Sequence, residues 1–344
     1  MKKKRPLAIV FAVLAFFFNF GNGFSQQRTD LKTLSDALND FSKDITGALP
    51  LMATVGLNWP DSYVGQLVDI PPHWGAGITV GLTTLKIDKL NYLLSQLGYR
   101  SDDSFASKQL MPAYTIETRV GGLKSLPFDI GLKWGWLPYI PLFNDSINYE
   151  SCVFGLDFRW ELVADRFMFP AISLGFEVDR ATGGLRRKGS LTVKSGSDDI
   201  TVKNGMAGVY WETWAFYLKL TASKRFWEPR LTVYGGLRTG ASLTRTGIKF
   251  TDGDAISIGG TKLTAMSVNQ MNSYQSAFRS IAGNNTTFEV TSDGIAGWRD
   301  SVGFSLSIYE GIAFHFYNTS VSLSFITDIA HFEMGANISF IYRQ

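Results

Sequence analysis

From residue 73 onward, apolar and polar residues alternate with a period of two, and a chain written this way is committed to extended strands with two chemically different faces. Ten segments carry the pattern: 74–83, 114–120, 128–136, 152–162, 172–179, 209–222, 230–244, 304–316, 321–325 and 332–343. In the fourth, Cys152, Phe154, Leu156, Phe158, Trp160 and Leu162 oppose Gly155, Asp157, Arg159 and Glu161. A half-buried sheet in a soluble sandwich would alternate in the same way, so the polarity of the two faces decides. The apolar face carries large aromatics while the other holds Gly, Ser and charges of both signs, as expected for a wall with lipid outside and a polar lumen inside. Aromatics gather toward the segment ends, Trp74, Phe128, Trp160 and Tyr342 at one rim and Tyr114, Trp134, Trp136 and Tyr210 at the other, as two interfacial girdles. The expected fold is all-β: an antiparallel transmembrane β-barrel of ten strands over residues 73–344. Twelve strands is the alternative, if residues 51–59 and part of 181–208 join the wall.

Connection lengths test this independently, because outer-membrane barrels join their strands by short periplasmic turns and long outer loops. Here the connections at 84–111, 139–146, 181–208 and 247–300 are mostly long, and those at 124–127, 164–169, 223–229 and 317–320 are short. The alternation places both the mature N-terminus and the C-terminus in the periplasm. One link departs from it, the short outer connection around Asp328 to His331.

The chain begins as an exported one. Lys2-Lys3-Lys4-Arg5 precede an apolar run from Leu7 to Phe18 and the small residues Gly21, Gly23 and Ser25, the order of a secretory signal. Residues 1–25 are read as that signal, with cleavage after Ser25 or at Gly21 to Gly23. Its loss removes four of the 33 basic residues, leaving 29 against 30 acidic ones, so the mature chain offers no basic surface excess for nucleic acid. The single Cys152 cannot form a disulfide framework or a cysteine metal site. No cofactor or metal motif appears, and no Gly-x-Ser-x-Gly elbow, His-Glu-x-x-His or phosphate-binding loop. The partners expected are the lipid around the apolar belt, the outer-membrane assembly machinery and a hydrophobic small molecule.

Residues 26–72 stand outside the alternation. Leu31, Leu34, Leu38, Phe41 and Ile45 give Asp30 to Thr46 a helical stripe, and the stretch ends in the stiff Pro71-Pro72 pair. This segment is too short to bury a core of its own, so it should plug or cap the periplasmic mouth. Two outer loops carry similar stripes: Ile87, Leu90, Leu93, Leu94 and Leu97 in one, and Met271, Tyr274, Phe278 and Ile281 in the other. Leu90, Leu94, Leu97, Met271, Tyr274 and Phe278 are candidates for capturing a hydrophobic ligand, or for packing against each other as a lid.

Inward-facing polar residues are the candidate lumen lining: Glu117, Arg119, Asp129, Lys133, Asp157, Arg159, Glu161, Glu177, Lys219, Arg238 and Glu333, with Asp179 and Arg230 beside them. In a barrel this narrow they either pair as filler or line a polar passage. Glu310 falls on the lipid-facing phase, and Glu310-Gly311 is read as a bulge that turns the carboxylate inward. His331, with Asp328 and Glu333 close by, is the one acid/base candidate for a hydrolase at the rim. No catalytic, cofactor or metal residue is assigned.

With an N-terminal hatch-like segment, a barrel and helix-bearing outer loops, residues 26–344 resemble the FadL-type transporters of fatty acids and hydrocarbons. They are also similar to uncharacterised outer-membrane barrels of spirochaetes that begin with a short helix. The resemblance implies passive uptake of a small hydrophobic solute. FadL-type barrels have fourteen strands and an Asn-Pro-Ala hatch motif, which this chain lacks, and its final residues depart from the terminal aromatic of many assembly signals. No family residue therefore maps onto a position here. A structural or adhesive surface barrel, and a rim hydrolase using His331, stand as the alternatives.

Overall fold

The computed structural model describes residues 28–66, 73–86, 88–97, 108–121, 127–142, 147–196, 198–227, 230–283 and 286–344; the signal segment, Pro71-Pro72 and Ile87 lie outside them. Ten antiparallel strands form one barrel: β1 (Trp74–Lys86), β2 (Lys108–Gly121), β3 (Phe128–Leu142), β4 (Ile147–Val163), β5 (Ala171–Ser195), β6 (Asp198–Phe226), β7 (Leu231–Thr251), β8 (Gly294–Phe316), β9 (Thr319–Asp328) and β10 (Glu333–Arg343). Each pairs with the next, and β10 returns to β1 with Ile338 opposite Val80. Trp74 and Gln344 exchange backbone hydrogen bonds of 2.8 and 2.9 Å at the foot of this seam. Closing the ladder satisfies the wall's backbone without water, the condition for crossing a bilayer.

The two faces have the phase that the alternation predicts. Ile78, Ile116, Leu132, Leu156, Phe176, Leu218 and Ile338 are exposed on the outside, while Thr79, Glu117, Asp157, Glu177, Lys219 and Arg238 are buried inside. On β7 the outward apolar positions run from Leu231 to Leu243. That is about 30 Å along the barrel axis for a rise of about 3.4 Å per residue and a tilt of about 40°, a bilayer's hydrocarbon depth. In the turn that follows β4, burial raises Asp165, but hydrogen bonds from Lys224 and Arg225 outweigh it and hold the carboxyl below its ordinary range.

Strands β5 and β6 correct the expected loop at 181–208. They contain 25 and 29 residues, where about ten suffice to cross, and pair from Ala171↔Ser223 up to Ser195↔Asp198. Residues 51–59 are not a strand, and 181–208 join the wall only as continuations of β5 and β6, so the wall has ten strands and not twelve. The reason the extension hides in the sequence is that its polarity inverts. Above the apolar belt, Leu185, Val193, Ile200, Val209, Ile248 and Ile295 point inward and are buried, while Lys188 and Lys249 on the outer face meet water.

That apolar inner surface receives three helices: α1 (Leu31–Ala53), α2 (Asp88–Gln96) and α3 (Val268–Ala282). The stripe of Leu31, Leu34, Leu38, Phe41 and Ile45 on α1 joins Leu90, Leu93, Leu94 and Leu97, Phe278, and the wall residues Val193, Ile248, Phe250 and Phe288 in one core. α3 is started by Ser267, whose hydroxyl accepts from Gln270 N while the Gln270 Oε1 accepts from Ser267 N at 2.9 Å. Two glycines let α1 lie against the wall. A Cβ on Gly303 would sit 2.8 Å from Thr46 O, and one on Gly47 would overlap the His331 ring.

The helix α1 docks inside the barrel at the end away from Gln344, and not at the mouth that holds the C-terminal residue. Before it, Arg28–Asp30 pair in parallel with β5, Thr29 beside Val193, near the tip of the β5–β6 hairpin. α1 then descends through the barrel, and residues 54–66 follow it to the opposite end, where a Cβ on Gly75 would meet the Trp59 ring. The described N-terminal residues and Gln344 therefore lie at opposite ends of the barrel, not together. The physical cause is that only the inverted end of the wall offers an apolar lining to the helix stripe; the other end of the lumen is charged.

Leu156, exposed in the middle of β4, tests the lipid phase. Leu156→Arg should destabilise the barrel in lipid vesicles by about 2–4 kcal/mol in urea titrations, as cations do near the midplane. A loss below about 0.5 kcal/mol would place that face in water.

Candidate functional site

Many ionised side chains of the described residues converge in the lumen at membrane depth, and each comes from an inward position of a regular strand. Arg119 on β2 bridges Asp129 on β3 at 2.5 Å and also pairs with Asp157 on β4. Arg159 holds the same Asp129 at 2.6 Å. Lys219 on β6 spans Asp157 and Glu177 at 3.0 and 3.1 Å, separating two carboxylates that the ladder sets directly opposite each other. Glu177 also accepts Lys133 at 3.0 Å and Arg238 at 2.9 Å, and Lys133 reaches Asp179 at 2.9 Å. With Glu117 added, five acids face five bases, all buried. Burying such groups is tolerable only when charges and hydrogen bonds are matched together.

The second half of the match is the backbone of the N-terminal segment. Residues 54–66 contain no α-helix or strand, so at this depth their N–H and C=O groups need partners other than water. The wall supplies them. Arg119 donates to Leu57 O at 3.1 Å and Arg159 to Asp61 O at 2.6 Å, and in the last turn of α1 just before them Tyr217 donates to Pro50 O at 2.7 Å and Lys133 to Ala53 O at 2.6 Å. In return Leu57 N and the Trp59 indole donate to Glu117 at 2.6 and 2.7 Å, and Val64 N donates to Asp129 at 2.7 Å. Arg238 reaches the Asn58 side chain at 2.8 Å, and Arg343 reaches Asp61 at 2.5 Å. Leu57 lies in the left-handed region at φ 57°, a conformation costly for leucine, and the bonds to Glu117 and Arg119 on either side of it hold it there.

Nine of the eleven lumen-lining residues read from the sequence are thus brought into one network: Glu117, Arg119, Asp129, Lys133, Asp157, Arg159, Glu177, Lys219 and Arg238. Glu161 stands at its lower edge, receiving Ser62. Glu333 is apart, at the other rim, hydrogen-bonded by Thr84. Arg230 is exposed in the turn before β7. Sequence reasoning missed Asn58 and Asp61, because residues 50–66 have no periodicity to assign them to a face.

Glu310 corrects the bulge reading. The ladder is continuous through it, with Glu310 between Gly235 and Phe325, and its carboxylate faces outward. The inward position is taken by Tyr309, whose ring lies under Arg238 and whose hydroxyl bonds Thr221.

The loop candidates do not frame an open groove. Leu90, Leu94, Leu97 and Phe278 are buried, and Met271 and Tyr274 pack partly buried on the same core. The void between α1 and the wall, lined by Leu31, Leu34, Leu38, Phe250 and Phe288, measures about 10 Å³, room for one water at most. At the rim, Asp328 accepts both Ser305 at 2.5 Å and the His331 ring at 3.2 Å. Ser305 thus bonds the carboxylate rather than the imidazole, and the ring wedges against Gly47 of α1.

No family model and no curated protein matches the chain. Among solved structures it is similar to the outer-membrane protease OmpT of Escherichia coli, at 12% identity over 79% of this chain and 95% of that one, TM-score 0.38. It is also similar to the translocator domain of the autotransporter NalP of Neisseria meningitidis (12% identity, 80% and 89%, TM-score 0.35). A FadL homologue of Pseudomonas aeruginosa aligns at 8% identity over 94% and 99%, TM-score 0.26. These are outer-membrane barrels, and likeness at this level concerns the fold alone.

Lys133 is the sharpest test of the network. Lys133→Met leaves Glu177 and Asp179 undercompensated and Ala53 O without its donor, so stability in urea should fall by about 3–5 kcal/mol. The exposed Lys262→Met should change it by less than about 0.5 kcal/mol. Equal effects of the two would mean that the lumen charges are solvated rather than locked.

Proposed function

We propose that this chain is a barrel of the bacterial outer membrane, sealed through its lumen, that holds a rigid interaction platform at the cell surface. The observation behind this reading is the filled lumen: wall charges are spent on one another and on the backbone of residues 50–64, and the outer end is packed with apolar side chains. The tall walls of β5, β6, β7 and β8 carry that packed end well beyond the bilayer. A shape of this kind suits a structural or adhesive barrel that presents a fixed surface.

Passive uptake of a hydrophobic solute is the second reading. It would require residues 50–66 to leave the lumen and strip hydrogen bonds from Glu117, Arg119, Lys133, Arg159 and Arg238. Such a step needs a trigger, and the helix-bearing loops that would capture the solute are already filled by α1. Hydrolysis at His331 lacks a nucleophile bonded to the imidazole in the arrangement of Ser305, Asp328 and His331.

Purified protein in planar bilayers should show no conductance steps and admit neither small polar dyes nor fatty acids into liposomes. Stepwise conductance or fatty-acid uptake by the intact chain would replace the sealed reading with the transport one.

Orientation is proposed on the same grounds, with the extended end outside. An epitope placed directly before Arg28 should bind antibody on intact cells, while one after Gln344 should bind only after permeabilisation. The opposite pattern would turn the molecule over in the membrane.

A further inference from the structure

The tall part of the wall, β5 to β8, ends in two free strand edges that the chain treats differently. Above Arg186, where β4 stops pairing, the edge of β5 carries the buried inward charge of Arg187, the exposed Lys188 and a register shift between Gly189 and Leu191. Arg28–Asp30 then cover it from Thr192 to Lys194. These are devices that keep an edge from pairing with foreign chains. On β8, the short strand Thr287–Thr291 pairs as far as Trp298, and β9 takes up the same side again at Ser307. Among the described residues, Arg299 to Ser305 have no strand beside them on the side away from β7, a slot of about 20 Å at about 3.4 Å per residue. Ser301 to Ser305 hold no charge, proline or register shift, and Val302 and Phe304 are 75% and 56% exposed.

The ladder fixes which groups the slot offers. His315 N donates to Arg230 O just before β7, so odd residues of β8 bond toward β7, while Ile329 N donates to Leu306 O, so even residues point away from it. The N–H and C=O groups of Asp300, Val302 and Phe304 therefore line the slot, with their side chains on the outer face. Val302 stands opposite Leu243, the last outward apolar residue of β7, and Phe304 opposite Ala241. This backbone meets the top of the apolar belt, where water is scarce and unpaired groups are costly.

We propose that the slot receives a short extended segment of a different exported polypeptide, which pairs with β8 as an added strand. This names the kind of partner for the surface platform proposed above and rests on that reading. Backbone groups repeating along an edge select an extended peptide over a compact ligand. Two copies of this chain do not serve. Antiparallel pairing would invert one barrel in the membrane, and a twofold axis along the membrane normal would cross strands tilted by about 40° at about 80°. Side chains select the sequence class. On the outer face, Val302 and Phe304 favour β-branched or aromatic neighbours. On the inner face, Ser301 and Gly303 lie against Ser42 and Thr46 of α1, so the partner's residues there are small or hydroxylated.

The test uses the full mature chain in phosphatidylcholine nanodiscs, with the synthetic peptide Thr-Val-Ser-Val-Ser-Val-Thr as probe. In the free protein the amides of Val302 and Phe304 should exchange with solvent rapidly while that of Gly303, bonded toward β7, exchanges slowly. Saturating peptide should slow the first two roughly tenfold. The same peptide N-methylated at its three valines should not bind. Val302→Pro removes one edge N–H and no bond to β7, so the thermal midpoint should hold while peptide affinity falls roughly tenfold; Val302→Thr, which keeps that N–H, should bind like the wild type. Slow exchange at Val302 and Phe304 without peptide, no slowing with it, binding of the N-methylated peptide, or undiminished binding to Val302→Pro would overturn the assignment. Conductance measured on the same preparation tells a sealed barrel that fails to bind peptide apart from a barrel that is not sealed.

Discussion

The constraint on which the rest of the structure depends is that a stretch of backbone without regular hydrogen bonding, residues 54–66, lies where water is excluded. Each of its polar groups must find a fixed partner, and the wall provides those partners as full charges rather than neutral hydroxyls. Charges in turn need counter-charges, so five acids and five bases are drawn into one connected set spanning β2 to β7. The lumen's composition, the left-handed Leu57 and the cross-strand stacking of Asp157 on Glu177 all follow from that single requirement. A barrel of the same size filled by a helix alone would need none of it, since a helix satisfies its own backbone.

The molecule therefore has two interiors with opposite chemistry inside one continuous wall. Below, an electrostatic lattice meets an irregular segment; above, aliphatic and aromatic side chains meet three helices. The boundary falls where the outside changes from lipid to water, near Glu212 and Arg245. Strands run through it unbroken, and what changes is which face of the same strand is apolar.

That boundary also explains how far the sequence could be read. The ten membrane-depth segments announced themselves through alternation of one phase, and the inward charges could be named residue by residue from Glu117 to Arg238. At Leu185 and Val209 the phase reverses, so a search for an apolar outward face stops there and sees a loop. Glu310 misled for a related reason: alternation placed it outward correctly, and only the reluctance to leave a carboxylate there suggested a bulge. The stripe on α1 was legible but its partner was not, because the apolar surface it needs is formed by strand ends that looked like loops. Asn58 and Asp61 had no pattern at all, since their positions are dictated by the wall.

The parallel pairing of Arg28–Asp30 with the tip of β5 bears on how the molecule can be assembled. The segment is tethered at one end of the barrel by its continuation into β1 and at the other by contacts with residues such as Val193, far away in the chain. Contacts of such sequence separation form late and slowly. A wall that had already sealed between β1 and β10 would leave the segment outside with its apolar stripe in water. Filling of the lumen and closure of the seam at Ile338 and Val80 are therefore coupled, since neither the apolar stripe nor the charged lining is satisfied without the other.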